Sequence, residues 1–298
     1  NCIMPWNFPF WQVFRFGVPA LTVGNMIILK HSSAVPGCGL AIEDAFKEAG
    51  FPKNVFQTVI GPGKVAEKII PLVDAVSLTG SVEAGIKVAS TASKYLKKFV
   101  LELGGSDPFV VLDDADINLT CQNAIKARFT NTGQSCVAAK RFIVVKPKYE
   151  EFKEKITEYT SNLKTGDPLD NSTDIGPLVN EQQLLRLQDQ LKKGVKQGAK
   201  ILIGGKIIKR KGYFFEPTVV EVKNNNILVK EETFGPLLPL IKVNNEDEAI
   251  KEANNSEFGL AGSIWTKDLE KGERLARKID AGVVFVNGQP KSDPRLPF

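Results

Sequence analysis

Short β-rich runs alternate with stretches of helical character through the first third of the chain, and this restricts the possible folds more than any other sequence feature. Strands are predicted over Asn1 to Met4, Met26 to Leu29, Asn54 to Ile60, Ala75 to Leu78 and Phe99 to Leu103. Helices are predicted from about Phe10, over Pro36 to Ala49, around Gly63 to Pro71 and over Ser81 to Leu96. Strands and helices at this spacing imply a parallel sheet wound by right-handed crossovers. Ligands in such sheets bind outside the carboxyl ends of the strands, so the residues just after each strand are the ones to read. Phe109 to Leu112 opens a second series, which places a domain boundary between Leu103 and Gly104. That series comprises helices over Ile117 to Phe129, Tyr149 to Lys164 and Glu181 to Gln197, and strands over Phe142 to Val145, Lys200 to Ile203, Phe214 to Val222, Leu237 to Val243 and Ala281 to Val286. The fold class is α/β, in two domains over 1–103 and 104–298.

Composition narrows the partners. The excess of 39 basic over 34 acidic residues is small for 298 residues and is not banded, so it does not point to nucleic acid. The basic hairpin Gly204 to Gly212, with Lys206, Lys209, Arg210 and Lys211, reads as a solvated tip. No apolar run reaches membrane-span length, and the start shows no signal-peptide order. Cys2, Cys38, Cys121 and Cys136 lack CxxC spacing, which argues against a metal site and for a reducing compartment, the cytoplasm. His31, the one histidine, leaves no Ser-His-Asp or Cys-His arrangement that does not use it, and it is most simply exposed.

Behind the first strand, Pro5 and Pro9 pin the backbone around Asn7, whose held amide can act as an oxyanion donor or simply sit in a turn. Trp11 and Arg15 share a helix face, and Arg15 is either a surface cation or a receptor for a carboxylate. Behind the second strand, Lys30 and the hydroxyls of Ser32 and Ser33 suit a phosphate-bearing ribose or a solvated turn. Thr79-Gly80-Ser81 opens a helix with Ser81 as N-cap, a terminus able to receive pyrophosphate. Glu102, an acid in an apolar strand breaking at Gly104-Gly105, should be ionised in a wet pocket or held with a raised pKa; either state suits a general base.

In Phe129 to Lys140, Cys136 sits where a small-polar turn, read as an exposed loop, enters packed structure. Alone it reads as a small buried hydrophobe; as a nucleophile its thiol would need lowering by backbone amides or a nearby positive charge. Glu231-Glu232-Thr233-Phe234-Gly235-Pro236 can hold a ribose and lean a ring on a nicotinamide, or be a loop. The last predicted strand ends at Asn287, a candidate substrate contact.

In order along the chain, PWNFP at 5 to 9, Lys30, TGS at 79 to 81, LELGG at 101 to 105, GQSC at 133 to 136 and EETFGP at 231 to 236 resemble the aldehyde dehydrogenase superfamily. The resemblance implies a Rossmann-like dinucleotide-binding domain over 1–103 and a catalytic domain over 104–298. It implies Cys136 as the nucleophile toward an aldehyde, Asn7 and the Cys136 N–H at the oxyanion, and Glu102 as the base that activates water. Lys30 matches the adenine-ribose lysine, Ser81 the pyrophosphate contact, Glu232 the nicotinamide-ribose carboxylate and Phe234 its neighbour. Trp6, Thr79, Gly80 and Leu103 complete the implied cofactor contacts. Ser33 stands where NAD-preferring members often carry Glu, so NADP is favoured over NAD. Trp11, Arg15 and Asn287 are the implied substrate residues, and PWNFPFWQVFRF looks like the succinate-semialdehyde branch. Alternatives are non-phosphorylating oxidation of glyceraldehyde 3-phosphate, or a weakly active form that only binds the dinucleotide or a partner. The family's bridging strands before PWNFP and after the last motif are not in this sequence, which puts its usual homo-oligomer in doubt.

Overall fold

The structure is a computed structural model and describes residues 1–293, so 294–298 of the second expected domain lie outside the described residues. The chain divides into two compact units, the first Asn1–Gly104, the second from Gly105 onward. In the first, β1 (Cys2–Met4), α1 (Trp11–Thr22), β2 (Ile27–His31), α2 (Pro36–Glu48), β3 (Phe56–Thr58), α3 (Gly63–Ile69), β4 (Ala75–Thr79), α4 (Val82–Lys94) and β5 (Lys98–Glu102) follow one another. The strands form one parallel sheet in the order β3-β2-β1-β4-β5. The chain runs outward from β1 to β3 and then returns to β4 on the other side of β1. Strand order therefore reverses at β1 and β4, the position at which such sheets take ligands. Val13, Ile42 and Phe46 of α1 and α2 pack with Cys2, Leu29 and Phe56 of the sheet, and Val88 and Ala92 of α4 with Val76 and Leu78.

The second unit comprises β6 (Asp107–Val111), α5 (Ile117–Phe129), β7 (Ala139–Val145), α6 (Lys146–Ser161), α7 (Glu181–Lys196), β8 (Lys200–Ile203), β9 (Ile207–Ile208), β10 (Phe214–Phe215) and β11 (Thr218–Val222). It continues through α8 (Ile227–Lys230), β12 (Leu237–Val243), α9 (Glu246–Ala253), β13 (Ala261–Trp265), α10 (Leu269–Ala276) and β14 (Val283–Val286). Its main sheet runs β14-β13-β6-β7-β12-β11-β8, parallel except for the edge strand β8. Every residue of β6 and β7 is buried. Alternate residues go to opposite faces, Val110 and Ile143 to a core with Leu187 and Ile250, Phe109 and Phe142 to a core with Phe152 and Trp265.

Several expectations are corrected. β2 runs to His31, so Lys30 and His31 belong to the strand and are buried, at 6% and 2% exposure, rather than lying in a loop after it. Phe214 to Val222 is two strands, β10 and β11, because Pro217 has no N–H for a continuous ladder. α9, β13 and α10 occupy 244–280, a stretch in which the pattern of residues predicted no element.

Candidate functional site

The loop between α5 and β7 is built under strain. Asn131, Thr132 and Gly133 are consecutive left-handed residues, with φ of 53°, 58° and 71°. For a β-branched residue such as Thr132 this conformation is unfavourable and persists only where the surroundings dictate it. The Thr132 hydroxyl donates to the Gly176 carbonyl, Gln134 Nε2 donates to the carbonyls of Asn131 and Pro177, and Gln134 Oε1 accepts from the Val179 N–H. Thr132, Gln134 and Ser135 are buried, which corrects the reading of this segment as an exposed loop. The strained turn sets Cys136 in a half-buried position at the head of β7.

Three buried features fasten this loop to 231–236. Arg128, fully buried, donates to the carbonyls of Ala139, Thr233 and Gly235 and to the Thr233 hydroxyl. Gly133 approaches so closely that a side-chain carbon there would stand 2.3 Å from the Gly235 oxygen. Lys140, fully buried, donates to the carbonyls of Ser135 (2.9 Å) and Cys136 (2.8 Å) and pairs with Glu232 Oε1 at 3.2 Å. The same carboxylate oxygen accepts from the Gly105 N–H at 3.2 Å, and the Lys140 ammonium lies 5.9 Å from the centre of the Phe234 ring. From below, Gln183 of α7 donates to the Phe234 carbonyl, and Gln190 to Glu231 and to the Glu232 carbonyl.

Burial pushes the Cys136 thiol above its ordinary value. The Lys140 ammonium and a hydrogen bond from the Val137 N–H pull it down, while Asp107 and Glu232 push it further up. The positive charge and amide expected for a thiolate are therefore both present, and desolvation outweighs them. Asp107, wholly buried at the start of β6, is pushed up to about 7 by burial, against Lys140 and Arg141. Its Oδ1 accepts from the Ala261 N–H, and its Oδ2 accepts from no protein group among the described residues. A group raised in the folded state holds its proton after the unfolded chain has released it. This contribution to stability is present below about pH 4 and falls by about 1.4 kcal/mol per pH unit as pH rises toward 7. Asp107→Asn is expected to remove that slope, and thermal melts of the two proteins from pH 4 to 8 measure it; parallel curves would contradict the assignment.

In the first unit the residues behind β1 and β4 are placed by their neighbours. His31 Nδ1 accepts from the Ser32 N–H, so Nε2 carries the proton and donates to the Pro9 carbonyl at 3.0 Å. The histidine expected to be exposed is thus a buried anchor for the end of the Pro5–Pro9 segment, and burial lowers its pKa. Lys30, its ammonium also lowered by burial, makes no ion pair among the described residues. The Ser33 hydroxyl donates to the Gly61 carbonyl. Ser81 caps α4, its oxygen accepting from the Ala84 N–H, and the Gly80 N–H donates to the Glu102 carbonyl at 2.9 Å. Leu103 packs on Gly85, and Thr79 ends β4 as a buried residue. Asn7 and Trp6 are half-buried in the segment after β1; Trp11, 41% exposed, begins α1, and Arg15 follows one turn later. Burial raises the Glu102 carboxyl, and the Arg15 guanidinium lowers it in part.

Asn287, expected as a substrate contact, closes β14. It is left-handed at the end of β14, its Oδ1 accepts from the Thr266 N–H, and its Nδ2 donates to the Thr266 carbonyl. Both ends of the amide are used to hold β13 and β14 in register. Lys140, Arg128 and Asp107 were not singled out from the sequence; the adjacent Lys140-Arg141 pair heading an apolar strand was the available signal. No group of acids, cysteines and histidine among the described residues can hold a metal ion, and none of the described helices is long and apolar enough to cross a membrane.

A doubly covered parallel sheet with its strand order reversed at β1, and in the second unit a strained loop that holds a half-buried cysteine and is tied to an acid through a buried lysine, define an α/β protein of two units. The chain belongs to the aldehyde dehydrogenase family, whose model matches residues 1–298. A probable succinate-semialdehyde dehydrogenase [NADP(+)] of a Synechocystis species is 48% identical over 99% of this chain and 66% of its own length. The succinate-semialdehyde dehydrogenase [NADP(+)] of Mycobacterium avium is 44% identical, over 99% of this chain and 63% of its own. The crystal structure of succinic semialdehyde dehydrogenase from Streptococcus pyogenes with NADP+ superposes with a TM-score of 0.97 at 37% identity, covering 100% of this chain and 66% of that one. The chain therefore spans about two thirds of the length of the relatives it matches.

Proposed function

We propose that this chain carries the oxidation of a short aldehyde to its carboxylic acid with NADP, succinate semialdehyde being the substrate. The observation that supports this most is the Cys136 loop, tied through Lys140 to the acid of the EETFGP motif, in a chain whose relatives are named for that reaction. Residues 1–103 serve as the dinucleotide-binding domain and 104–298 as the catalytic domain. Cys136 Sγ adds to the aldehyde carbon, and the Asn7 amide with the Cys136 N–H receives the charge that develops on the oxygen. Bound NADP supplies the hydride acceptor. Glu102, raised by burial, takes a proton from the water that releases the acid from sulfur.

The first unit fits a 2′-phosphorylated dinucleotide. The start of α4 lies at the reversal point with a glycine before its cap, and Lys30 is a buried cation without an acid partner among the described residues. Ser33 presents no negative charge to a phosphate. In this assignment Trp6, Thr79, Gly80, Ser81 and Leu103 line the dinucleotide, with Glu232 and Phe234 at the nicotinamide ribose. The four thiols are free, as in the cytoplasm, where we place the protein. A panel of aldehydes with NAD and NADP side by side tests the reading; no reduced cofactor from any aldehyde would overturn it.

Arg15 is assigned to the distal carboxylate of the substrate, beside Trp11. Because Arg15 also lowers the Glu102 carboxyl, its removal disturbs the base for every aldehyde, and only a comparison of substrates isolates the carboxylate contact. Arg15→Ala is expected to raise KM for succinate semialdehyde about 10- to 100-fold, the loss of one charge-assisted contact. KM for an uncharged aldehyde of similar length should move little. Equal changes for both would remove Arg15 from the substrate contact.

A further inference from the structure

Lys140 is wholly buried and its three N–H donors are all engaged, two by the carbonyls of Ser135 and Cys136 and one by Glu232. The Glu232 carboxylate is the exposed end of this arrangement, about one fifth accessible, while the lysine is sealed beneath it. Isolated ammonium groups are expensive to bury, and replacing a buried ion pair by apolar residues is often neutral or stabilising. Stability alone therefore does not account for a lysine here. The charges that act on the Cys136 thiol are the Lys140 ammonium and the carboxyls of Asp107 and Glu232. Arg141, the next residue, faces away, spending its guanidinium on the carbonyls of Ser106, Glu252 and Ala253.

We propose that Lys140 is a positioning residue that couples the thiol of Cys136 to the carboxylate of Glu232: one ammonium is shared between the two loops, so a ligand drawing on Glu232 changes the charge that faces the sulfur. The coupling stands on the contacts of Lys140 with the Cys136 carbonyl and Glu232, together with the pull of its charge on the thiol; that the ligand is a cofactor ribose rests on the function proposed above. The two ends have opposite effects. Removing the ammonium takes away a positive charge that favours the thiolate, and removing the carboxylate leaves that charge less neutralised.

The test is the pH dependence of iodoacetamide alkylation at Cys136, followed by peptide mass spectrometry so that Cys38 does not contribute. Lys140→Met is expected to slow alkylation at pH 7.5 at least about threefold and to move its midpoint up, and Glu232→Gln to speed it by a similar factor and move the midpoint down. Lys140→Arg keeps the charge and should stay near wild type. A purely structural lysine would not give shifts of opposite sign at the two ends. A folded Lys140→Met protein with the wild-type profile overturns the proposal. If that variant does not fold, an unshifted profile in Glu232→Gln overturns it equally. Saturating NADP, with binding followed by fluorescence, separates the two readings. If NADP binds and changes the wild-type alkylation rate but not that of Lys140→Met, both stand. Opposite shifts without any response to bound NADP support the coupling and overturn the assignment of Glu232 to the cofactor.

Discussion

Cys136→Ala is expected to abolish formation of reduced cofactor altogether, a loss of at least about a thousandfold, while Glu102→Gln keeps the first turnover and loses the rest. The distinction follows from the two roles. Without sulfur nothing adds to the aldehyde, so neither a burst nor steady turnover remains. Without the carboxylate, addition and oxidation proceed once per protein, and release of the acid slows by the roughly 10²- to 10⁴-fold typical of a lost general base. Rapid mixing of enzyme, aldehyde and NADP, monitored by NADPH absorbance, shows both. The pH profiles should separate in the same way. Burial raises both groups above their ordinary values. The burst therefore falls as pH drops through the raised thiol midpoint, and steady turnover, which needs both groups, falls with it and again as pH drops through the raised Glu102 midpoint. A Glu102→Gln protein without a burst, or a Cys136→Ala protein with one, would refute the assignment.

The second large effect concerns Gly133. Its φ of 71° and the 2.3 Å separation between a would-be side-chain carbon and the Gly235 oxygen are independent obstacles to any other residue. Gly133→Ala must pay the left-handed backbone cost and also push 231–236 away from the cysteine loop, together about 2 to 5 kcal/mol. Gly198 supplies the control. It is also left-handed, at 93°, but nothing lies within 4 Å of the added carbon, so Gly198→Ala should cost only about 1 to 2 kcal/mol. Thermal unfolding of both variants gives the difference. Activity should fall further in Gly133→Ala than stability alone explains, since displacements of about 1 Å at a reacting centre can cost about a hundredfold. Equal melting temperatures for the two variants would show that the close approach carries no weight.

Much of this architecture could be read from residue order because the responsible forces are local. α5 was predicted over Ile117 to Phe129 and is found there, and Ser81 caps α4 as its position before the apolar periodicity implied. The parallel sheet of the first unit followed from strand and helix spacing. What stayed hidden depends on distant partners. A histidine between a lysine and two serines carries no mark of being sealed under the Pro9 carbonyl. Arg128, Lys140 and Arg141 look like surface cations in sequence, because the carbonyls that satisfy them come from segments up to about a hundred residues away. β13, Ala-Gly-Ser-Ile-Trp, has too few branched or large apolar residues to announce itself, and its place between β6 and β14 is decided by its neighbours. Glu102 was legible as a costly acid, whereas the burial that outweighs Lys140 at the Cys136 thiol was not.

Neighbouring cations on β7 also police how that strand can pair. Lys140 and Arg141 are adjacent on a strand in which every residue is buried, where the ladder with β6 shifts register between Asp107 and Pro108, and their acceptors are different: Ser135, Cys136 and Glu232 for the ammonium, Ser106, Glu252 and Ala253 for the guanidinium. Sliding β7 by a single residue would carry one of the two cations into the setting that fits the other and carry the second into a position now held by an apolar residue, Ala139 or Phe142. A charge carried into an apolar position is costly to bury without partners, so slipped pairings of this central strand are disfavoured by solvation energy as well as by packing.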